Sequence, residues 1–110
     1  MVHFANGTSP PSEKQLRMEM ELPQDCKFLG WAVHTPHEDG FLLEAYEPEG
    51  RGSAFGPSPE KAEKYEDPNM PARIVDHMAY PAVVTALFDL GAQILSIPVG
   101  GNDLSEFRRK

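Results

Sequence analysis

Residues 28–47 have the sequence FLGWAVHTPHEDGFLLEAYE, and this stretch decides the predicted fold. It contains two apolar runs, at 28–35 and 41–47, joined by five residues that start at Pro36 and end at Gly40. Two runs of this kind, separated by a short connection containing Gly, are typical of a β-hairpin. The sequence therefore predicts two paired strands at the centre of the fold.

Alternation within the two runs predicts how the strands pair. Trp31 and Val33 share one face of the first run, and Leu43 and Ala45 share one face of the second. A register in which facing residue numbers sum to 76 places both pairs on one side, whereas a slip of one residue would separate them. The far side of the sheet would then carry an apolar group with polar neighbours, formed by Phe28, His34, Leu42, Glu44 and Tyr46.

The flanking segments complete the predicted fold. Residues 16–22 alternate between apolar and charged side chains, which predicts another strand. The apolar residues of 81–90 recur at helical spacing before Gly91, which predicts a helix packed on the face of Trp31 and Val33. The remaining elements are two short helices and a last strand, at 60–66, 69–78 and 94–97. The fold class is α+β, a four-stranded, mainly antiparallel sheet in β-β-β-α-α-β order with one main helix packed on one face.

The chain's 110 residues are enough for one domain. We expect residues 15–101 to form that α+β domain, with a loop rich in Gly and Pro at 48–58. Residues 1–14 are predicted to be a flexible N-terminal arm, and residues 102–110 a polar C-terminal tail. The single cysteine, Cys26, excludes an internal disulfide.

The formal net charge of the chain is −7, and most of it lies in one segment. Residues 38–67 contain nine acidic and three basic side chains, a net charge of −6. No segment has enough Lys and Arg to hold phosphates along a duplex, so nucleic-acid binding is disfavoured. An acidic surface favours a protein partner with a basic surface, although acidity also promotes solubility by itself.

The sequence also bears on the cellular compartment. Its first residues show no basic region followed by an apolar run, and no stretch approaches the roughly 20 apolar residues of a membrane span. We therefore expect a cytoplasmic protein with no membrane partner.

The densest group of ionisable side chains lies at the predicted hairpin tip, where His34 and His37 are followed by Glu38 and Asp39. Histidine and carboxylate side chains bind metals. One alternative function is therefore a small metal-dependent enzyme or metal binder that uses His34, His37 and His77. The spacing does not favour this alternative, because no two histidines lie four residues apart on a predicted helix. We predict no metal, no cofactor and no catalytic residue.

The leading interpretation is a non-enzymatic protein-binding module of the adaptor or stoichiometric-inhibitor type. Immunity proteins and phage counter-defence proteins are analogies of size and charge only. Because one helix cannot cover both sides of the sheet, we expect the far side to be exposed; the alternative is that the Gly/Pro loop or the N-terminal arm covers it. Exposed apolar side chains with a charged rim are typical of binding faces. The predicted contact residues are Phe28, His34, Leu42, Glu44 and Tyr46, with Phe55 added from the loop. A second alternative is a homo-oligomeric structural subunit that self-associates through its sheet.

Overall fold

The computed structural model describes residues 2–4, 10–36, 40–44, 54–78 and 81–102. Within these ranges the chain forms six strands, two α-helices and one 3₁₀ turn. In chain order they are β1 (His3–Phe4), α1 (Glu13–Glu19), β2 (Lys27–Thr35), β3 (Gly40–Glu44), β4 (Ala54–Gly56), the 3₁₀ turn (Pro59–Lys61), α2 (Asn69–Asp76), β5 (Val83–Asp89) and β6 (Ile94–Gly101).

The strands form one antiparallel sheet in the order β1-β6-β5-β2-β3-β4. The four longest strands make its centre, and strands of two and three residues lie at the edges. The predicted α+β class with a mainly antiparallel sheet is confirmed. The strands predicted at 28–35 and 94–97 are β2 and β6. The strand predicted at 41–47 is β3, which ends at Glu44, and residues 45–47 lie outside the described part of the chain.

Both helices pack on one face of the sheet, which we call the helix side. Leu16 from α1 and Ile74 and Val75 from α2 belong to the same buried cluster as Trp31 and Phe88 from the strands. Burial of this apolar surface is the main term that stabilises the fold. No helix in the described residues is long and apolar enough to cross a membrane.

The opposite face of the sheet, the loop side, is also covered. Ala32, Phe41 and Leu87 form a second buried cluster with Ala62, which follows the 3₁₀ turn. Ala32 and Leu87 have no exposed surface. The expectation that this side stays open is therefore wrong at these positions, because the segment that follows β4 returns across it.

The helix predicted at 81–90 is wrong, because this segment contains the strand β5. It pairs with β2 on one edge and with β6 on the other, and six of its seven residues are buried. Phe88 faces the helix side and Leu87 the loop side. A strand buried on both faces is apolar along its whole length, so alternation disappears from its sequence. Gly91, predicted to cap a helix, adopts φ +98° in the turn after β5.

The strand predicted at 16–22 is also wrong, because most of this segment belongs to α1. The helix begins at a capping box, in which Ser12 Oγ accepts a hydrogen bond from Gln15 N at 3.1 Å. In return, Ser12 N donates to Gln15 Oε1 at 3.2 Å. The pattern Ser-x-x-Gln is a signal for a helix start. It outweighs the short alternation of apolar and charged residues that follows.

The end of α1 has a left-handed cap formed by an unusual residue. Leu22 N donates to Arg17 O at 3.0 Å and Glu21 N to Met18 O at 3.3 Å, the two hydrogen bonds of a Schellman motif. Glu21 adopts φ +52°, a conformation that normally favours glycine. The cap therefore stops the helix at a cost in backbone strain.

The register of β2 and β3 differs from the predicted one by one residue. His34 faces Phe41 and Thr35 faces Gly40, so facing residue numbers sum to 75. The shift moves Leu42 to the helix side, where it belongs to the main cluster and has no exposed surface. The prediction that Leu42 lies on an open face is therefore wrong.

The pairing of β2 and β3 is also short, because another segment enters between the two strands beyond Phe41 and His34. Glu63 N donates to Leu42 O at 2.8 Å, and Tyr65 exchanges two backbone hydrogen bonds of 2.8 Å with Trp31. Gly30 allows this close approach, because it has φ +135° and a Cβ there would lie 3.1 Å from Tyr65 O. Since Tyr65 is far away in sequence, local alternation could not reveal this competition.

The remaining segments agree in part with the predictions. The helix predicted at 69–78 is α2, with Pro68 and not Asn69 at its N-cap. The helix predicted at 60–66 is shorter, a 3₁₀ turn with Ser58 at its N-cap and Pro59 at its first position.

The predicted division of the chain into arm, domain and tail stays a prediction. Within the predicted arm, β1 pairs with β6 opposite Gly100 and Gly101. Residues 48–53 of the predicted loop and 103–110 of the predicted tail lie outside the described residues.

Candidate functional site

Two of the six predicted contact residues belong to the core on the helix side. Leu42 is fully buried. Phe28 is half-buried, with its ring centroid 5.3 Å from that of Trp31 and 5.1 Å from that of Phe88. These edge and tilted contacts stabilise aromatic clusters. The prediction that both residues lie on an exposed outer face is therefore wrong, because β5 and the two helices bury that side.

The other four predicted contact residues remain candidates. His34 points to the loop side, half-buried, with its ring centroid 4.4 Å from that of Phe41. The backbones of Glu44 and Phe55 lie on the paired strands β3 and β4. Their side chains, and the whole of Tyr46, lie outside what the structure describes. A contact between any of the four and a partner stays a prediction.

The structure does not bring the predicted metal-binding histidines together. His77 is exposed at the end of α2, where its Nδ1 lies 2.9 Å from Arg73 O. Because α2 packs on the helix side and His34 points to the loop side, these two histidines do not share a site. His37 lies outside the described residues. Among the described residues, no three His, Cys, Asp or Glu side chains are placed to hold a metal ion.

Exposed apolar side chains are concentrated at α1. Met18 is 70 % exposed and Met20 is 48 % exposed, and the exposed Glu19 and Glu21 alternate with them. These four residues, 18–21, are called the α1 surface below. The third large exposed apolar side chain in the described part of the chain is Met70, which is 45 % exposed and begins α2 with Asn69. Methionine packs adaptably, so it is common at surfaces that bind other proteins.

Two neighbouring side chains fix α1 on the sheet. Leu16 is 4 % exposed within the main cluster. The Arg17 guanidinium donates hydrogen bonds to Cys26 O at 3.0 Å, Cys26 Sγ at 3.3 Å and Glu13 Oε2 at 2.9 Å, and lies 5.4 Å from the Phe88 ring centroid. The hydrogen bond to Glu13 raises the pKa of Arg17, so the guanidinium stays charged. Together they orient α1 with its methionines toward solvent.

Two shallow grooves meet at the end of the sheet where β5 turns into β6. Both are lined by Asp89 and Gly91. The larger groove has a volume of about 340 Å³, and its lining includes the half-buried Leu29 and Ile94 and the exposed Glu60. Its walls therefore combine apolar side chains with two carboxylates.

The smaller groove extends from Asp89 toward α1. It has a volume of about 160 Å³, and its lining includes Pro23, Asp25 and Lys27. Pro23, in its wall, lies three residues after Met20 in the sequence.

Asp89 forms no ion pair within 4.0 Å with another described residue. It is half-buried, and its Oδ1 accepts a hydrogen bond of 2.8 Å from Gly91 N. Lys27 faces Asp89 in the β2–β5 register and lines the smaller groove with it, but the one ion pair within 4.0 Å between two described residues joins Glu13 and Arg17. The Asp89 carboxylate therefore keeps free hydrogen-bond acceptors in the wall that the two grooves share.

Comparison of the chain with protein-family models, with curated proteins and with solved structures finds no match.

Sequence reasoning missed the α1 surface for an identifiable reason. A strand over 16–22 places Met18 and Met20 on the buried face with Leu16. The capping pattern of Ser12 and Gln15 would have signalled a helix, in which Leu16 alone faces the core and both methionines turn outward. The Asp89 grooves left no such local signal, because they form between segments distant in sequence.

Proposed function

We propose that this chain is a non-enzymatic protein-binding module, and that its partner presents a basic surface. The observation that supports the proposal is the α1 surface, where Met18 and Met20 are exposed between Glu19 and Glu21. Large apolar side chains surrounded by charges are typical of binding faces. Burial of the two methionines would supply affinity, and the glutamates would select a partner of opposite charge.

The cap of α1 adds support to this proposal. Glu21 occupies a left-handed position that glycine would occupy with less strain. Strained residues are often found where a side chain has a functional role. In this position Glu21 brings a carboxylate next to Met20, so a basic side chain of the partner can pair with it while the methionine is buried.

The charge of the rest of the chain favours the same partner. The formal net charge is −7, and the described part of the acidic segment contributes the exposed residues Glu60, Glu63, Glu66 and Asp67. A field of this sign accelerates the encounter with a basic protein, and the acceleration declines as ionic strength rises. The adaptor or stoichiometric-inhibitor role that we propose requires such fast, selective association.

The experiment compares two variants in which methionine is replaced by glutamine, at two different sites. The double variant Met18→Gln/Met20→Gln removes the apolar part of the α1 surface, and Met70→Gln is the control, because Met70 is also exposed but lies on α2. Each protein is immobilised and exposed to an extract of the source cells. We expect wild type and the control to retain the same basic protein in stoichiometric amount, and the double variant to lose it.

Retention of that protein by the double variant at the wild-type level would contradict the proposal. The solution mass of each purified variant separates a second possibility. If the wild type is a dimer and the double variant a monomer, the α1 surface mediates self-association and not binding of a different protein.

A further inference from the structure

Asp89 is a carboxylate that the fold holds in place without an ion pair within 4.0 Å to another described residue. It ends β5, whose other six residues are buried, and the hydrogen bond from Gly91 N fixes one of its oxygens. A basic group that reaches this half-buried carboxylate can form a charge-assisted hydrogen bond with it. Lys27 faces Asp89 from β2 and lines the smaller groove, so the carboxylate lies between a basic neighbour on one side and the larger groove on the other.

The larger groove matches the shape of a long basic side chain. Leu29 and Ile94 offer half-buried apolar surface beside Asp89, and Glu60 adds a second carboxylate. Arginine and lysine pack their aliphatic stems on apolar surface while the charged head reaches polar groups. The one cation in this groove, Lys64, donates from Nζ to the carbonyl oxygens of Glu60 and Ala62, at 2.7 Å and 3.0 Å. Lys64 is therefore occupied with the 3₁₀ turn.

The smaller groove indicates the shape of the occupant. It leads from Asp89 past Lys27 and Asp25 to Pro23, in the segment that follows α1. An occupant that fills both grooves must therefore be extended. A chain segment has this shape, whereas a single small cation would occupy only the part next to Asp89.

We propose that the Asp89 grooves bind an extended basic segment of the partner, with an arginine or lysine side chain placed at Asp89. The inference rests on the proposed function and adds a second contact site and its chemistry. The partner's basic side chain lies on Leu29 and Ile94, its charged head pairs with Asp89, and the following residues run through the smaller groove past Asp25 and Pro23.

The test uses an acetylated, amidated tripeptide, Leu-Arg-Leu, titrated into the isotope-labelled full chain and followed by NMR. We expect saturable shifts of the backbone amides of Lys27, Gly91 and Ala92, which line the grooves. The peptide Leu-Gln-Leu should produce none. The isosteric variant Asp89→Asn should weaken binding of Leu-Arg-Leu by about tenfold or more, because it removes a charge-assisted contact.

The matched control is Asp67→Asn. The Oδ1 of Asp67 accepts a hydrogen bond of 2.9 Å from the backbone two residues later, as Asp89 does, but Asp67 is exposed and lines neither groove. This variant loses the same charge and should bind Leu-Arg-Leu like wild type. Equal binding by Asp89→Asn and wild type, or shifts that occur equally with Leu-Gln-Leu, would overturn the inference.

A further experiment tests whether the occupant is a chain segment and not a single cation. Ethylguanidinium ion alone should bind Asp89 much more weakly than the tripeptide, and equal affinity would overturn the assignment of a chain segment. These outcomes are independent of the methionine experiment. If Met18→Gln/Met20→Gln abolishes partner binding while Asp89→Asn has no effect on the tripeptide, the proposed function stands and only this inference fails.

Discussion

The strand β5 and the helix α1 differ in how many of their sides the fold buries. β5 is paired on both edges and covered on both faces, whereas α1 contributes one buried side chain, Leu16. The sequence predicts a helix where the structure has β5 and a strand where it has α1, and both predictions are wrong. Burial on two sides fills a strand with apolar residues and hides its alternation, and burial of one residue leaves a helix with no helical period to detect.

The largest expected effect lies in β5. Phe88→Ala should lower the free energy of unfolding by about 3–5 kcal/mol, because Phe88 has no exposed surface and its loss leaves a cavity between α1 and the sheet. Urea denaturation at equilibrium measures the change. Phe28→Ala is the control, since Phe28 contacts Phe88 but is half-buried, and its cost should be smaller. Equal costs would mean that β5 is not the centre of the core.

A smaller and more local effect is expected in α1. Leu16→Ala should release the helix while the sheet stays folded, because little else in α1 is buried. Hydrogen exchange measures this, at the amide of Met20, which donates to Leu16 O at 2.9 Å. Its protection should disappear while the β5 amides keep theirs. Loss of protection in both elements together would show that α1 and the sheet unfold as one unit. The exposed Met18 provides the control, and Met18→Ala should leave both unchanged.

The smallest effect concerns the left-handed cap. Glu21→Gly should stabilise α1 against local opening by about 0.5–1 kcal/mol, because glycine adopts φ +52° without strain. Glu19→Gly, at the last residue of the helix, should destabilise it by up to about 1 kcal/mol. Exchange rates of the α1 amides report both changes. The strain assigned to Glu21 would be contradicted if exchange in Glu21→Gly were no slower than in wild type. A change in the same direction in both variants would also contradict it.

Much of the central sheet could be predicted from local sequence. The hairpin strands β2 and β3 and the last strand β6 follow from apolar runs bounded by Gly and Pro, and α2 follows from its own short pattern. The start of α1 was available in Ser12 and Gln15, had the capping pattern been weighed against alternation. The β-branched residues Val83, Val84 and Thr85 likewise favour a strand at β5.

The rest depends on contacts between distant segments. The pairing of β2 and β3 is kept short by Tyr65, which hydrogen-bonds to Trp31 from beyond β4. The Asp89 grooves need the β5–β6 turn, the 3₁₀ turn and the start of β2 to come together. The sequence also predicted an exposed Leu42, which failed because a shift of one residue in register reverses the side on which every side chain lies.

Hydrogen exchange of the chain alone and bound to its partner tests the central claim most directly. The account predicts slower exchange in the complex at residues 18–22 and around Gly91, with little change at β4. Protection confined to the β3–β4 hairpin, with α1 exchanging at its free rate, would contradict the α1 surface as the binding site and would favour the candidates Glu44, Tyr46 and Phe55.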